Sequence, residues 1–161
     1  MKNKLFYILI LFSIICPVSA QEPAICGDWE EYYKTEVGFS LTRTIRITYN
    51  DGNYDVKMKI KNKDDNSVDY YTGAQITHSN ENSISWHYLT DVYDDPDMKY
   101  KGYIVGFLEN YLCCNIEMVE GVLIYTNHFR QLYYDRNGSY IGEWNGTNCH
   151  YGVMNKKEEE W

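Results

Sequence analysis

Residues 43–61 read RTIRITYNDGNYDVKMKIK, and their alternation decides the fold class. Ile45, Ile47 and Tyr49 fall on one side of a strand while Thr44, Arg46 and Thr48 fall on the other, because strand side chains alternate with a period of two. After Asp51-Gly52 the alternation resumes in phase, with Tyr54, Val56, Met58 and Ile60 apolar and Asp55, Lys57, Lys59 and Lys61 polar. A type I′ turn needs positive φ at both central positions, which Gly accepts freely and Asp tolerates. That turn sets Tyr49 opposite Tyr54, Ile47 opposite Val56 and Ile45 opposite Met58. A slip of one residue would turn every apolar group toward water, so the register is strongly specified and a one-sided antiparallel sheet is expected.

The same reading extends outward. Val68, Tyr70, Thr72, Ala74 and Ile76 alternate with their neighbours as one strand, in which Gly73 marks a bulge or bend. Ile84, Trp86 and Tyr88 alternate with Ser85, His87 and Leu89. Residues 100–108 and 112–119 are expected to pair around Glu109-Asn110. Residues 122–134 are long for one strand, which places a bulge near Asn127-His128. Residues 135–138 (DRNG) make a further hairpin turn into 139–144. No segment repeats apolar residues at helical spacing. The expected fold is all-β, a single antiparallel up-and-down β-barrel of about eight or nine strands, with a β-sandwich as the alternative. Closure removes exposed sheet edges and favours the barrel.

Residues 1–20 carry the order of a secretory signal: Lys2 and Lys4, an apolar run over 5–15, then Val18-Ser19-Ala20 as a small-residue cleavage site. The apolar run is shorter than the roughly 20 residues needed to span a bilayer. A lipoprotein signal needs a small residue before its cysteine, and Ile15 precedes Cys16. The expectation is an exported chain, secreted or periplasmic, with no membrane insertion after signal removal, a domain over 21–154 and a charged flexible tail over 155–161. The net charge is −8 and becomes −10 without Lys2 and Lys4. Such an acidic domain lacks the basic footprint that nucleic acid or anionic membrane surfaces require. Seventeen tyrosines suit half-exposed strands, or serve as stacking platforms for ring-bearing ligands.

Removing residues 1–20 leaves Cys26, Cys113, Cys114 and Cys149, an even count that suggests two disulfides in an exported chain, one of them from Cys26 to the later half. Cys113 and Cys114 are adjacent, so in a strand they point to opposite faces and do not bond to each other. No CxxC pair or histidine at zinc-ligand spacing accompanies them, and no metal or cofactor is expected. Gly27 and Trp29 form a Gly-x-Trp at the start of the first strand, followed by a meander of hairpins. In this the chain resembles the lipocalin-like calycin barrels, including small exported bacterial proteins. The resemblance implies a basic residue from a late strand over the Trp29 indole, for which Arg130 and Arg136 are the candidates.

No catalytic constellation stands out. His78 beside a turn and His150 beside Cys149 read as surface residues. Ser85 and His87 share a strand face, but no strained elbow surrounds the serine. His128 sits near the expected bulge. Glu109, Glu117, Glu120 and Glu143 offer carboxylates whose separation the sequence leaves open. The aspartates of 91–97 lack EF-hand spacing. The chain is therefore read as a non-enzymatic binding protein. Its ligand would be a small apolar or aromatic molecule held against Tyr49, Tyr54, Met58, Trp86 and Tyr88, unless those rings fill the interior themselves. The alternative is a recognition or adhesion module that meets a protein or glycan through exposed aromatics.

Overall fold

The computed structural model describes residues 22–94, 97–146 and 150–157, so the expected signal segment, Cys149 and Pro96 lie outside the described residues. The described residues form β1 (Gly27–Lys34), β2 (Ser40–Asn50), β3 (Asn53–Asn62), β4 (Val68–Tyr71), β5 (Gln75–Ser79), β6 (Ser83–Tyr93), β7 (Lys99–Tyr100), β8 (Tyr103–Ile104), β9 (Phe107–Val119), β10 (Val122–Tyr134), β11 (Tyr140–Asn145) and β12 (His150–Lys156). The fold is all-β, and each pairing is antiparallel. Among the described residues no helix is long and apolar enough to cross a membrane.

The β2–β3 hairpin has the register its alternation dictates: Tyr49 pairs Tyr54, Ile47 pairs Val56 and Ile45 pairs Met58. Asp51 and Gly52 take φ of 50° and 85°, the two left-handed positions of a type I′ turn. Ile45, Ile47, Val56 and Met58 are fully buried. Burying each such side chain contributes about 1.5–3 kcal/mol, which is what holds the register against a slip.

The main sheet runs β4-β3-β2-β1-β12-β10-β9-β6-β5, with β11 also on β10 and β7-β8 as a separate ribbon. Its two ends, β4 and β5, are consecutive in the chain but do not pair, so the hydrogen-bonded path stays open. The expected single strand through 68–77 is thus two strands, and Gly73 bends the chain between them with φ 74°. The buried side chains form one core cluster, in which Trp29, Ile45, Val56 and Met58 join Trp86, Tyr88, Ile116, Leu123 and Tyr125. Polar tips tie the two halves across that core: Tyr88 OH reaches the Val56 carbonyl at 3.4 Å and Tyr125 OH reaches Met58 Sδ at 3.8 Å.

Three local expectations are corrected. β9 runs straight through Glu109-Asn110, because Glu109 accepts from Tyr111 and Tyr134 hydroxyls and Asn110 accepts from Gln131, so both polar groups are satisfied within the sheet. The pairing of β9 with β10 is unbroken from Val119–Val122 to Phe107–Tyr134, so there is no bulge at Asn127-His128. What changes there is the partner on the other edge, which is β12 up to Asn127 and β11 from Arg130. β6 also continues to Tyr93, into the stretch expected to be an acidic loop, with an irregularity between Leu89 and Asp91.

The first and last strands pair with each other. Trp29 pairs Lys156 and Glu30 pairs Asn155, so β12 runs two residues past the expected domain end. Trp29 is buried and donates from Nε1 to the Ile25 carbonyl at 2.9 Å. The basic group over its indole is Lys156, 5.7 Å from the ring centroid, because register makes it the neighbour. Arg130 instead binds Glu143 on the outer face and Arg136 is exposed in the 135–138 turn. Cys26, Cys113 and Cys114 are free thiols. Cys114 points inward, 3.3 Å from Tyr125 OH, and Cys113 points outward, so the adjacent pair does face opposite ways. The expected cross-link from Cys26 is not made to either of them.

Candidate functional site

The residues expected to line an interior divide into two groups. Met58, Trp86 and Tyr88 lie together in the core, where Trp86, 1% exposed, meets Tyr88 edge-on at 6.4 Å. Tyr49 and Tyr54 meet at a tilt, 4.8 Å between ring centroids, partly buried, with Tyr54 OH donating to the Asn80 carbonyl at 3.1 Å. The Ser85–His87 pair is not assembled: Ser85 Oγ donates to Asn115 Oδ1 at 2.8 Å and His87 Nε2 meets Gln75 Oε1 at 3.0 Å.

The opposite end of the core holds a cluster that the sequence reading missed. Glu31 of β1 and Arg43 of β2 are directly paired in register and both point inward, 4% and 2% exposed. Charged groups are almost never so buried unless paired. Arg43 Nη1 donates to Glu31 Oε1, and its Nη2 donates to Tyr33 OH at 2.9 Å. The guanidinium lies between the rings of Tyr33 and Tyr125, 4.5 and 4.2 Å from their centroids. Such stacking suits a planar, weakly hydrated cation. His150, the first residue of β12, brings Nε2 to 3.0 Å from Glu31 Oε1 and meets the Tyr33 ring at a tilt, 4.5 Å between centroids.

Backbone geometry makes room for this cluster. β1 pairs β12 only at Trp29 and Glu30, and the Glu31 carboxylate then enters the space beside Gly152. A Cβ at Gly152 would collide with that carboxylate, so glycine is required there for steric reasons. Beneath lies a neutral chain of polar groups, in which Asn127 Nδ2 donates to Tyr125 OH at 2.9 Å and Tyr125 meets Cys114. Burial holds the Tyr125 hydroxyl well above the ordinary phenol range and pushes the Cys114 thiol up to about 12. Neither group ionises near neutrality, so the buried charge at this end is that of the Glu31–Arg43 pair.

Above the cluster opens a cleft of about 690 Å³, lined by Tyr33, Arg43, Asn127 and His150 on its polar side and by Ile60, Tyr71, Leu112 and Phe129 on its apolar side. Residues 34–37 form its rim. Comparison with family models, with curated proteins and with solved structures returns no match for this chain. The cleft therefore has to be read from its own chemistry. It offers apolar walls, the rings of Tyr33 and Tyr71 and a charge-paired polar floor, which is the usual make-up of a small-molecule pocket.

A sequence signal for this site exists. Arg43 is in phase with Ile45 and Ile47, and Glu31 is in phase with Trp29 and Tyr33, so each is a charge on the apolar side of its strand. His150 carries no such mark, since 119 residues separate it from Glu31.

Proposed function

We propose that this chain is an exported, non-enzymatic binding domain that takes a small ligand with a flat or apolar body in the cleft above Arg43 and His150. The open sheet path is read as an incompletely closed barrel, its end strands β4 and β5 joined through residues 72–74. The observation that carries the proposal is the pairing of apolar walls with a buried polar floor whose two charges are already paired. Arg43 and Glu31 neutralise each other, so the floor favours a neutral or weakly polar ligand end over a strongly charged one. The core between the two halves is occupied by Trp86, Tyr88 and Met58, which moves the ligand from the interior to its mouth.

Titration with the uncharged fluorescent probe N-phenyl-1-naphthylamine tests this. Saturable binding is expected, weakened roughly tenfold by Phe129→Ala because a wall of the cleft loses apolar area. Phe129 is 54% exposed, so the melting temperature should hardly move. A second reading, recognition of a macromolecule, rests on Tyr140 and Trp144, both exposed on β11, whose one pairing is with β10 among the described residues. Probe binding that ignores Phe129→Ala but falls with Trp144→Ala would move the site to that edge.

A further inference from the structure

β6, β9 and β10 are adjacent, and their registers bring together three residues well separated in the chain. His87 of β6 stands opposite Cys113 of β9, and Cys113 stands opposite His128 of β10. Opposed residues on neighbouring strands share a face. The result is a row of imidazole, thiol and imidazole on the outer face, behind the core residues Trp86 and Cys114. Cross-strand Cβ atoms lie about 4.5–5.5 Å apart, so each imidazole is one strand spacing from the sulfur. All three residues are half-buried and border a cleft of about 400 Å³ with Ser85, Asn115 and Arg130. Among the described residues, neither the Cys113 thiol nor the His128 ring makes a side-chain hydrogen bond.

We propose that His87, Cys113 and His128 are the protein ligands of a surface site for a borderline-soft divalent ion of the zinc class. A thiolate with two imidazoles is a donor set that selects zinc-like ions over magnesium or calcium, which prefer oxygen. Among the described residues no three such side chains are placed to hold a metal ion as they stand, so the row is a site only after its side chains move. His87 Nε2 is turned to Gln75 Oε1 at 3.0 Å, and its ring meets Tyr111 edge-on at 5.0 Å. Binding requires His87 to exchange that one neutral hydrogen bond and lean toward β9, with His128 leaning in from the other side. The backbone stays in place, because the row is already in register. Arg130 is the one cation bordering the cleft and is offset by its ion pair with Glu143, so it does not bar a metal. The ion would displace the thiol proton to solvent on binding.

Titration of the full chain with Co²⁺ under a non-coordinating reductant provides the test. A thiolate-to-cobalt charge-transfer band is expected, saturating at one equivalent and abolished when Zn²⁺ is added. Cys113→Ser should remove the band, His87→Ala and His128→Ala should each weaken binding by about tenfold or more, and Cys114→Ser should leave it intact. No band in the wild type, or a band that survives Cys113→Ser, overturns the proposal. Should Cys113→Ser fail to fold, alkylation of the wild type gives an independent readout. Zn²⁺ should protect Cys113 from iodoacetamide in peptide mapping, and unchanged labelling at saturating Zn²⁺ refutes the site.

Discussion

β1 and β2 carry two arginine–carboxylate pairs on opposite faces of one ladder. Outside, Arg46 grips Asp28 through two hydrogen bonds of 2.7 Å, with side chains 34% and 13% exposed. Inside, Arg43 meets Glu31 with both side chains almost fully buried. The chemistry and the strands are the same, and burial alone separates the two. An outer ion that loses its partner is taken up by water, so such a pair contributes about 0–1 kcal/mol. An inner ion that loses its partner stays desolvated and costs several times more. The inner pair accordingly needs Tyr33, Tyr125, His150 and the gap at Gly152 around it, whereas the outer one has Lys157 and Lys59 nearby and a guanidinium partly exposed to solvent.

The largest effect tests the inner pair. Arg43→Met should destabilise by about 3–5 kcal/mol, read as a lower urea midpoint at constant slope, because Glu31 is left buried and unpaired. Adding Glu31→Leu should restore most of that loss, since no buried charge then remains. An Arg43→Met loss no larger than that of Arg46→Met would mean that burial is not what distinguishes the two pairs. Next in size is Gly152→Ala, expected to cost about 1–3 kcal/mol through overpacking against the Glu31 carboxylate. In a Glu31→Ala background the same change should cost less, by at least about 0.5 kcal/mol of coupling. Additive losses would place the strain somewhere other than Glu31.

The β2–β3 hairpin was easier to read in the sequence than the β1–β2 ladder, and the reason is physical. Alternation assigns each residue a side of its strand, and Asp51-Gly52 fixes which residues of β2 and β3 oppose each other, so that hairpin was legible to the residue. Alternation does not say which strands become neighbours once no tight turn joins them. Glu31 and Arg43 stand on the apolar side of their strands, but nothing local reports that they meet each other or His150. The His87–Cys113–His128 row is hidden in the same way, because metal-ligand spacing along a chain is a helix and loop signal that cross-strand register does not produce. Polar pairs inside a strand also imitate turns. Glu109-Asn110 reads as a break only until Tyr134 and Gln131 of β10 are there to satisfy it.

The smallest expected effect sharpens the comparison from the other side. The hydrogen bonds from Arg46 hold the Asp28 carboxyl below its ordinary value of 3.8, with the charges of Arg46, Lys157 and Lys59 helping and partial burial opposing. A folded-state pKa below the unfolded one means that the pair stabilises fully above the unfolded value, near 4, and loses that contribution as pH falls through the folded value. Wild type should therefore melt slightly above Asp28→Asn at pH 7, by an amount equivalent to about 0.2–1 kcal/mol, and the gap should close on acidification below pH 4. Salt at about 1 M, where the Debye length is near 3 Å, should narrow the gap at pH 7 as well. Arg46→Met should cost little more than Asp28→Asn, because Lys157 and Lys59 remain to hold Asp28 ionised. A gap of several kcal/mol, or one that widens as the pH falls, would show that the outer pair behaves as a buried one and that the contrast between the two faces of the ladder is wrong.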